Sequence, residues 1–194
     1  MVITSLKQID FTKSYSYADY LSWQFDEFVE LIKGKIFPMS APSRAHQEVS
    51  GNLYLLLGVP IKKTACKIYH APFDVRLTDS KKSDREINTV VQPDLCIVCD
   101  LSKLDDKGCL GAPEFVTEIV SEKNAARDVK DKFLLYEENG VQEYWLARVK
   151  EKTIERFFLE NGKYVHKGFF THTDIINPVL FPEIEIDLGE VFTE

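Results

Sequence analysis

The chain has 194 residues, 44% hydrophobic and 28% charged, which excludes a disordered or fibrous chain and bounds the fold at one ordinary α/β core. A single domain over residues 1–194 is expected, with its core from about 15 to 192. The formal net charge of -7 opposes nucleic-acid binding through global charge, yet acidic residues that hold a metal can coexist with a local basic surface. Lys62, Lys63 and Lys67, then Lys81, Lys82 and Arg85, are the basic stretches, and each taken alone reads as solvated loop charge.

From the N-terminus, residues Met1 to Phe11 lack a basic region followed by a long apolar run, and no stretch approaches about eighteen consecutive apolar residues. A cytoplasmic protein without a membrane span is expected. Ser16 is placed to cap a short helix through Phe25. Glu27 to Ile32 and Lys35 to Met39 form strand-like runs around Lys33-Gly34, the pattern of a hairpin. Pro42 and Ser43 open a helix to about Leu57, where Gly58 and Pro60 supply a stop.

Lys67 to Leu77 gives two short strands divided near Pro72, with Phe73, Val75 and Leu77 alternating against Asp74 and Arg76. Asp79 to Val91 is polar and is expected to be a surface loop. Asp94 to Val98 and Glu114 to Val120 are apolar central strands, joined by a polar loop with Gly108 and Gly111. Asn124 to Asn139 has helical periodicity closed by Gly140, and Gln142 to Arg148 is an aromatic-rich strand, so Glu114 to Arg148 predicts a strand, helix, strand crossover. Asn161-Gly162 marks a hairpin between Thr153 to Leu159 and Lys163 to Phe169, and Ile184 to Phe192 is apolar enough to dock. The aromatic runs Tyr144-Trp145, Phe157-Phe158 and Phe169-Phe170 are expected to pack in or against the core, with one member of a pair free to face outward. The fold class is α/β, a central mixed sheet flanked by helices, with an N-terminal helix and hairpin and extra C-terminal strands.

Cys66, Cys96, Cys99 and Cys109 contain no second close pair to complete a zinc set, and residues three apart on a strand face opposite ways. All four are expected to be buried or incidental thiols.

Candidate chemistry centres on two carboxylates. Asp94 follows Pro93 at the start of an apolar strand, which puts it at the sheet's edge. Glu118 lies inside Phe115-Val116-Thr117-Glu118-Ile119-Val120, where an ionised carboxylate needs a partner, a hydrogen bond or a cation. The following helix puts Ala125, Val129, Phe133 and Tyr136 on one arc with Asp128 and Lys132 on its flank, so Lys132 faces the sheet. Two carboxylates and a lysine suit phosphodiester hydrolysis: the carboxylates hold a hard divalent ion, and the lysine orients water or neutralises developing charge. A purely structural Glu118 to Lys132 ion pair is the rival reading.

Pro93-Asp94, Glu118-Ile119-Val120-Ser121, Arg127-Asp128 with Lys132 and Tyr136, and Gly140-Val141-Gln142-Glu143-Tyr144-Trp145 resemble the Uma-two endonuclease family of the PD-(D/E)XK restriction-endonuclease-like superfamily. Glu30 through Gly34 to Ser40, then Pro42, Ser43, His46 and Gln47, are similar to that family's opening motif. The resemblance implies a Mg2+ or Mn2+ dependent nuclease, with Asp94 and Glu118 as metal ligands and the carbonyl of Ile119 as a third. It also implies that Lys132 replaces the superfamily's strand lysine, whose position here is Val120.

Asp74 is a further acidic candidate, with outward exposure the alternative. Glu30 is a candidate for a water-mediated metal shell, although a strand glutamate commonly faces solvent. His46 shares a helical arc with Val49, Leu53 and Leu56, which favours a packed histidine over a catalytic one. Gln47 lines a cleft or is exposed. The expected function is a metal-dependent DNA endonuclease; the alternative is a nuclease-fold module that has lost turnover and binds nucleic acid or a protein partner. A homodimer is the simplest arrangement for cutting both strands of a duplex.

Overall fold

A capping box between Ser16 and Asp19 opens α1 (Tyr17–Tyr20), shorter than the helix to Phe25 that the sequence predicts. The structure, a computed structural model, describes residues 3–78, 82–120 and 125–193, with the backbone alone for 125–128. β1 (Val29–Ile32) and β2 (Lys35–Pro38) make the expected hairpin, with Lys33 and Gly34 both at positive φ as a two-residue turn needs. Ser43 caps α2 (Arg44–Ile61) by accepting the His46 N–H. This helix does not stop at Leu57. Leu57 and Ile61 lie one turn apart and are fully buried, and their burial outweighs the roughly 3 kcal/mol that an internal proline such as Pro60 costs.

The chain continues through β3 (Lys67–His70), β4 (Val75–Arg76), β5 (Val90–Val91), β6 (Leu95–Val98), β7 (Leu104–Asp105), β8 (Gly108–Leu110) and β9 (Phe115–Val120). Residues 90 and 91, expected in a polar loop, form a strand because both are fully buried between neighbours, a pattern that alternation cannot reveal. Of the rest of that expected loop, residues 79–81 lie outside the described residues, and Ile87 anchors the segment before β5 in the core. The connection after β6 also pairs, as the β7–β8 hairpin. Gly108 has φ +121, and a Cβ there would meet the Asp74 carbonyl oxygen at 2.2 Å, so only glycine lets β8 lie beside β4. α3 (Ala125–Asn139) then crosses to β10 (Glu143–Arg148), which runs parallel to β9. β11 (Thr153–Glu160) and β12 (Lys163–Thr171) form the Asn161-Gly162 hairpin, and β13 (Ile175–Ile176), β14 (Ile186–Asp187) and α4 (Leu188–Val191) complete the chain.

These strands build two large sheets rather than one. The sheet built on the N-terminal hairpin has the order β2-β1-β5-β4-β8-β7, and the sheet with the longer strands the order β12-β11-β10-β9-β6-β3. α2 and the C-terminal segment cover one face of the latter, burying Leu53, Phe115, Trp145 and Ile186. Val75 and Val91 of the hairpin sheet pack with Leu135 and Tyr136 of α3 on the opposite face. Phe169 projects outward while Phe170 packs under the Arg156 guanidinium, 4.9 Å from its ring centre. No helix among the described residues is long and apolar enough to cross a membrane.

The four cysteines do not all remain thiols. Cys66 and Cys99 form a disulfide with Cα atoms 4.0 Å apart, while Cys96 and Cys109 are free and buried. The added turn of α2 and the tight bend after it bring Cys66 to the end of β6, a long-range meeting that the spacing of Cys96 and Cys99 does not indicate.

Candidate active site

Register alone brings the two carboxylates together. Leu95 of β6 pairs with Thr117 of β9, so Asp94 and Glu118 are the next cross-strand neighbours, on the face that carries Cys96 and Val116. The Ile119 N–H donates to Asp94 Oδ2 at 2.7 Å, and His46 Nε2 lies 3.2 Å from Asp94 Oδ1. His46 therefore sits in the site rather than as a core packing residue, because capping by Ser43 fixes the first turn of α2 against the start of β6. Burial works against its charged form, but the hydrogen bond and charge of Asp94, with the charge of Glu118, outweigh it and raise the imidazole above its ordinary value.

The second half of the site comes from α3. Lys132 and Tyr136 are one helical turn apart and both reach Glu118 Oε1, the ammonium at 3.0 Å and the phenol donating at 2.5 Å. Lys132 Nζ also lies 2.9 Å from Glu30 Oε1. Glu30 is buried at 5% exposure, not solvent-facing, and its Oε1 accepts the Gln92 N–H at 2.9 Å as well. Burial pushes the Glu118 carboxyl up toward neutrality against the pull of Lys132, with Asp94 and Glu30 adding repulsion. Burial opposes the charge of Lys132 too, yet Glu118 and Glu30 together raise it above the ordinary lysine value. The two shifts are compatible because one ammonium is shared among three carboxylates: the cation gains from all of them, and each anion has only part of the cation. Burial, then the Glu118 charge, keeps the Tyr136 hydroxyl protonated.

Asp74 stands apart from this pair. It accepts hydrogen bonds from the Tyr17 and Tyr20 hydroxyls at 2.9 and 3.3 Å and from Gln92 Nε2 at 2.9 Å, a half-buried cage that connects to the site through Gln92. Gln47 is exposed and lines the cleft over the carboxylates. The side chain of Asp128 lies outside the described residues. Tyr136 and Gln92 complete the constellation, and sequence reasoning does not single them out as site residues. Tyr136 carries a signal in its place beside Lys132 in the resembling motif and in its spacing one turn beyond it; for Gln92, whose contacts are made by β1, α1 and Asp74, there is none.

The carboxylates open into a cleft of about 590 Å³ walled by the β1–β2 hairpin, the start of α2 and the turn after β3. The basic stretches at Lys62, Lys63 and Lys67 and at Lys82 and Arg85 do not line it. Among the described residues no three His, Cys, Asp or Glu side chains form a preformed metal cluster. The donors present are two neighbouring carboxylates and the backbone beside them, hard oxygen ligands of the kind and small number with which Mg2+, keeping several waters, is bound.

No curated protein matches the chain. A crystal structure of a putative nuclease belonging to DUF820, from Anabaena variabilis ATCC 29413, superposes with a TM-score of 0.71 at 16% identity, covering 91% of this chain and 97% of that one. At that identity the likeness concerns the fold, which is restriction-endonuclease-like. The family model described as "Putative restriction endonuclease" matches residues 17–189, which takes in β1, both carboxylate strands, α2 and α3, and the chain therefore belongs to the Uma2 family.

Proposed function

We propose that the chain is a divalent-metal-dependent endonuclease that hydrolyses phosphodiester bonds in DNA, with Mg2+ or Mn2+ as its ion. The observation that carries this reading is the cross-strand pair Asp94 and Glu118 with the Lys132 ammonium held against Glu118. A structural ion pair alone gives no reason for Asp94 to be fixed beside it at a cleft, 18% exposed and restrained through both oxygens.

Asp94, Glu118 and the carbonyl of Ile119 are the residues that would hold the ion. Such an ion supplies Lewis acidity toward a phosphoryl oxygen and eases ionisation of a water molecule. Lys132, kept protonated by its carboxylate neighbours, acts as a donor at Nζ to the attacking water or to charge growing on the phosphate, and not as a base. Glu30 and Tyr136 position Lys132 and Glu118, and His46 restrains Asp94, so that these groups need little rearrangement when substrate enters.

Nicking of plasmid and cleavage of single-stranded DNA in Mn2+ test the assignment. Asp94→Ala and Glu118→Gln should each abolish cleavage while leaving a folded protein. Undiminished metal-dependent nicking by a highly purified, folded Asp94→Ala protein refutes it. A protein that binds no Mn2+ and cuts nothing, yet associates with nucleic acid or a protein partner, is instead the binding module.

A further inference from the structure

The β1–β2 hairpin presents to the cleft one face whose composition is set by register. Glu30 pairs with Phe37, and the Met39 N–H donates to the Phe28 carbonyl at 2.9 Å, so Phe28 and Met39 flank Glu30 and Phe37 on the same face. Phe28, Ile32, Phe37 and Met39 all line the cleft, around the glutamate that holds Lys132. Phe28 is 57% exposed, an aromatic ring left in water at the mouth of the cleft, where its packing against the protein is incomplete.

Charge points the same way. Among the described lining residues, Asp26, Glu27, Glu30, Asp94, Glu118 and Asp131 carry carboxyls and Lys132 is the only lysine or arginine. A duplex, with one phosphate charge per about 1.7 Å of axis, depends on many basic contacts, and the described lining supplies one lysine. Base faces are the attraction that an exposed aromatic ring can offer, and they are available to it only where the bases are unpaired. The volume of about 590 Å³ is that of a small-molecule site, on the scale of a nucleotide or two and not of a duplex groove wall.

We propose that the cleft takes an unpaired strand of DNA, with a base stacked on Phe28 and its phosphate led to Asp94 and Glu118. The inference rests on the phosphodiesterase reading of the site and deepens it by naming the substrate class. A single strand also removes the need for a two-fold dimer, since one scissile bond is presented at a time.

Fluorescence anisotropy on the full chain in Ca2+, with a labelled single strand and its duplex, reads the preference directly. The single strand should bind about tenfold tighter or more, and Phe28→Ala should weaken it by roughly five- to a hundredfold, the effect of losing one base–aromatic stack. Phe169→Ala, equally exposed at 57% but on β12 and outside the cleft, should change nothing, and Mn2+ titration of Phe28→Ala should match the parent protein. Duplex binding as tight as single-strand binding, or an unchanged Phe28→Ala, overturns the inference. Equal cutting of both forms in Mn2+ removes it and leaves the phosphodiesterase reading. Absence of cutting, with strand binding still lost in Phe28→Ala, removes that reading and leaves the ligand of the cleft.

Discussion

Replacing Lys132 by methionine keeps most of the apolar stem of the side chain and deletes the cation between Glu30 and Glu118. Both carboxyls are buried, at 5% and 9% exposure, and Glu118 is already pushed up by burial with the ammonium present. Without it, one further carboxyl has to be held protonated or left unpaired. Holding a glutamate neutral at pH 7 against an ordinary value of 4.5 costs about 3.4 kcal/mol, and about 0.7 kcal/mol at pH 5. The first figure falls in the range of about 3–5 kcal/mol for breaking a buried pair. The sign is fixed by linkage: a carboxyl whose folded value is raised above its unfolded one loses stability as pH rises between the two. The deficit of Lys132→Met should therefore open between about pH 4.5 and neutrality and nearly close in acid. Urea unfolding at pH 5 and pH 7 measures it. The double variant Lys132→Met/Glu30→Gln should recover most of the loss, because the second change removes the charge that the first leaves unpaired. A deficit under about 1 kcal/mol at pH 7, or one of equal size at both pH values, would refute the claim that one ammonium supports both carboxyls.

Metal binding should carry its own proton signature. Because the free site holds a proton on Glu118 more firmly than an ordinary glutamate does, Mn2+ binding should release protons near neutrality and strengthen as pH rises. Calorimetry in buffers of different ionisation enthalpy reads this, and a buffer-independent heat at neutral pH contradicts it. Gly108→Ala should destabilise the protein by roughly 3 kcal/mol or more, since the new methyl would lie 2.2 Å from the Asp74 carbonyl oxygen at φ +121; thermal unfolding checks it, and a shift within about 0.5 kcal/mol would contradict the close approach of β8 to β4.

Features carried by local signals are the ones legible in the sequence. The apolar strands around Cys96 and Val116, the crossover through α3 and the Asn161-Gly162 turn are written in contiguous residues, and their register then places Asp94 opposite Glu118. Lys132 is legible because helical periodicity turns it toward the sheet. Glu30 is named as a candidate, but its burial is not legible for a physical reason: Val29 and Leu31 on either side are also buried, so β1 packs on both faces and alternation loses its meaning. His46 is named too, but read as a packing residue because its helical arc is apolar, whereas its partner Asp94 lies at a strand that no local pattern links to it. The disulfide, the persistence of α2 through Pro60 and the cage around Asp74 likewise depend on contacts between distant segments.

Glu30 belongs to the sheet ordered around β1 and β5, whereas Asp94 and Glu118 belong to the one ordered around β6 and β9. The Lys132 ammonium, touching Glu30 and Glu118 at once, is thus a clasp across the seam between the sheets as well as the donor proposed for the reaction. Any anion entering the cleft competes for the cation that fastens it. Under the proposed function, occupancy and the joining of the two sheets are tied to a single nitrogen, and a phosphate that draws Lys132 toward itself would loosen the hold of that nitrogen on Glu30.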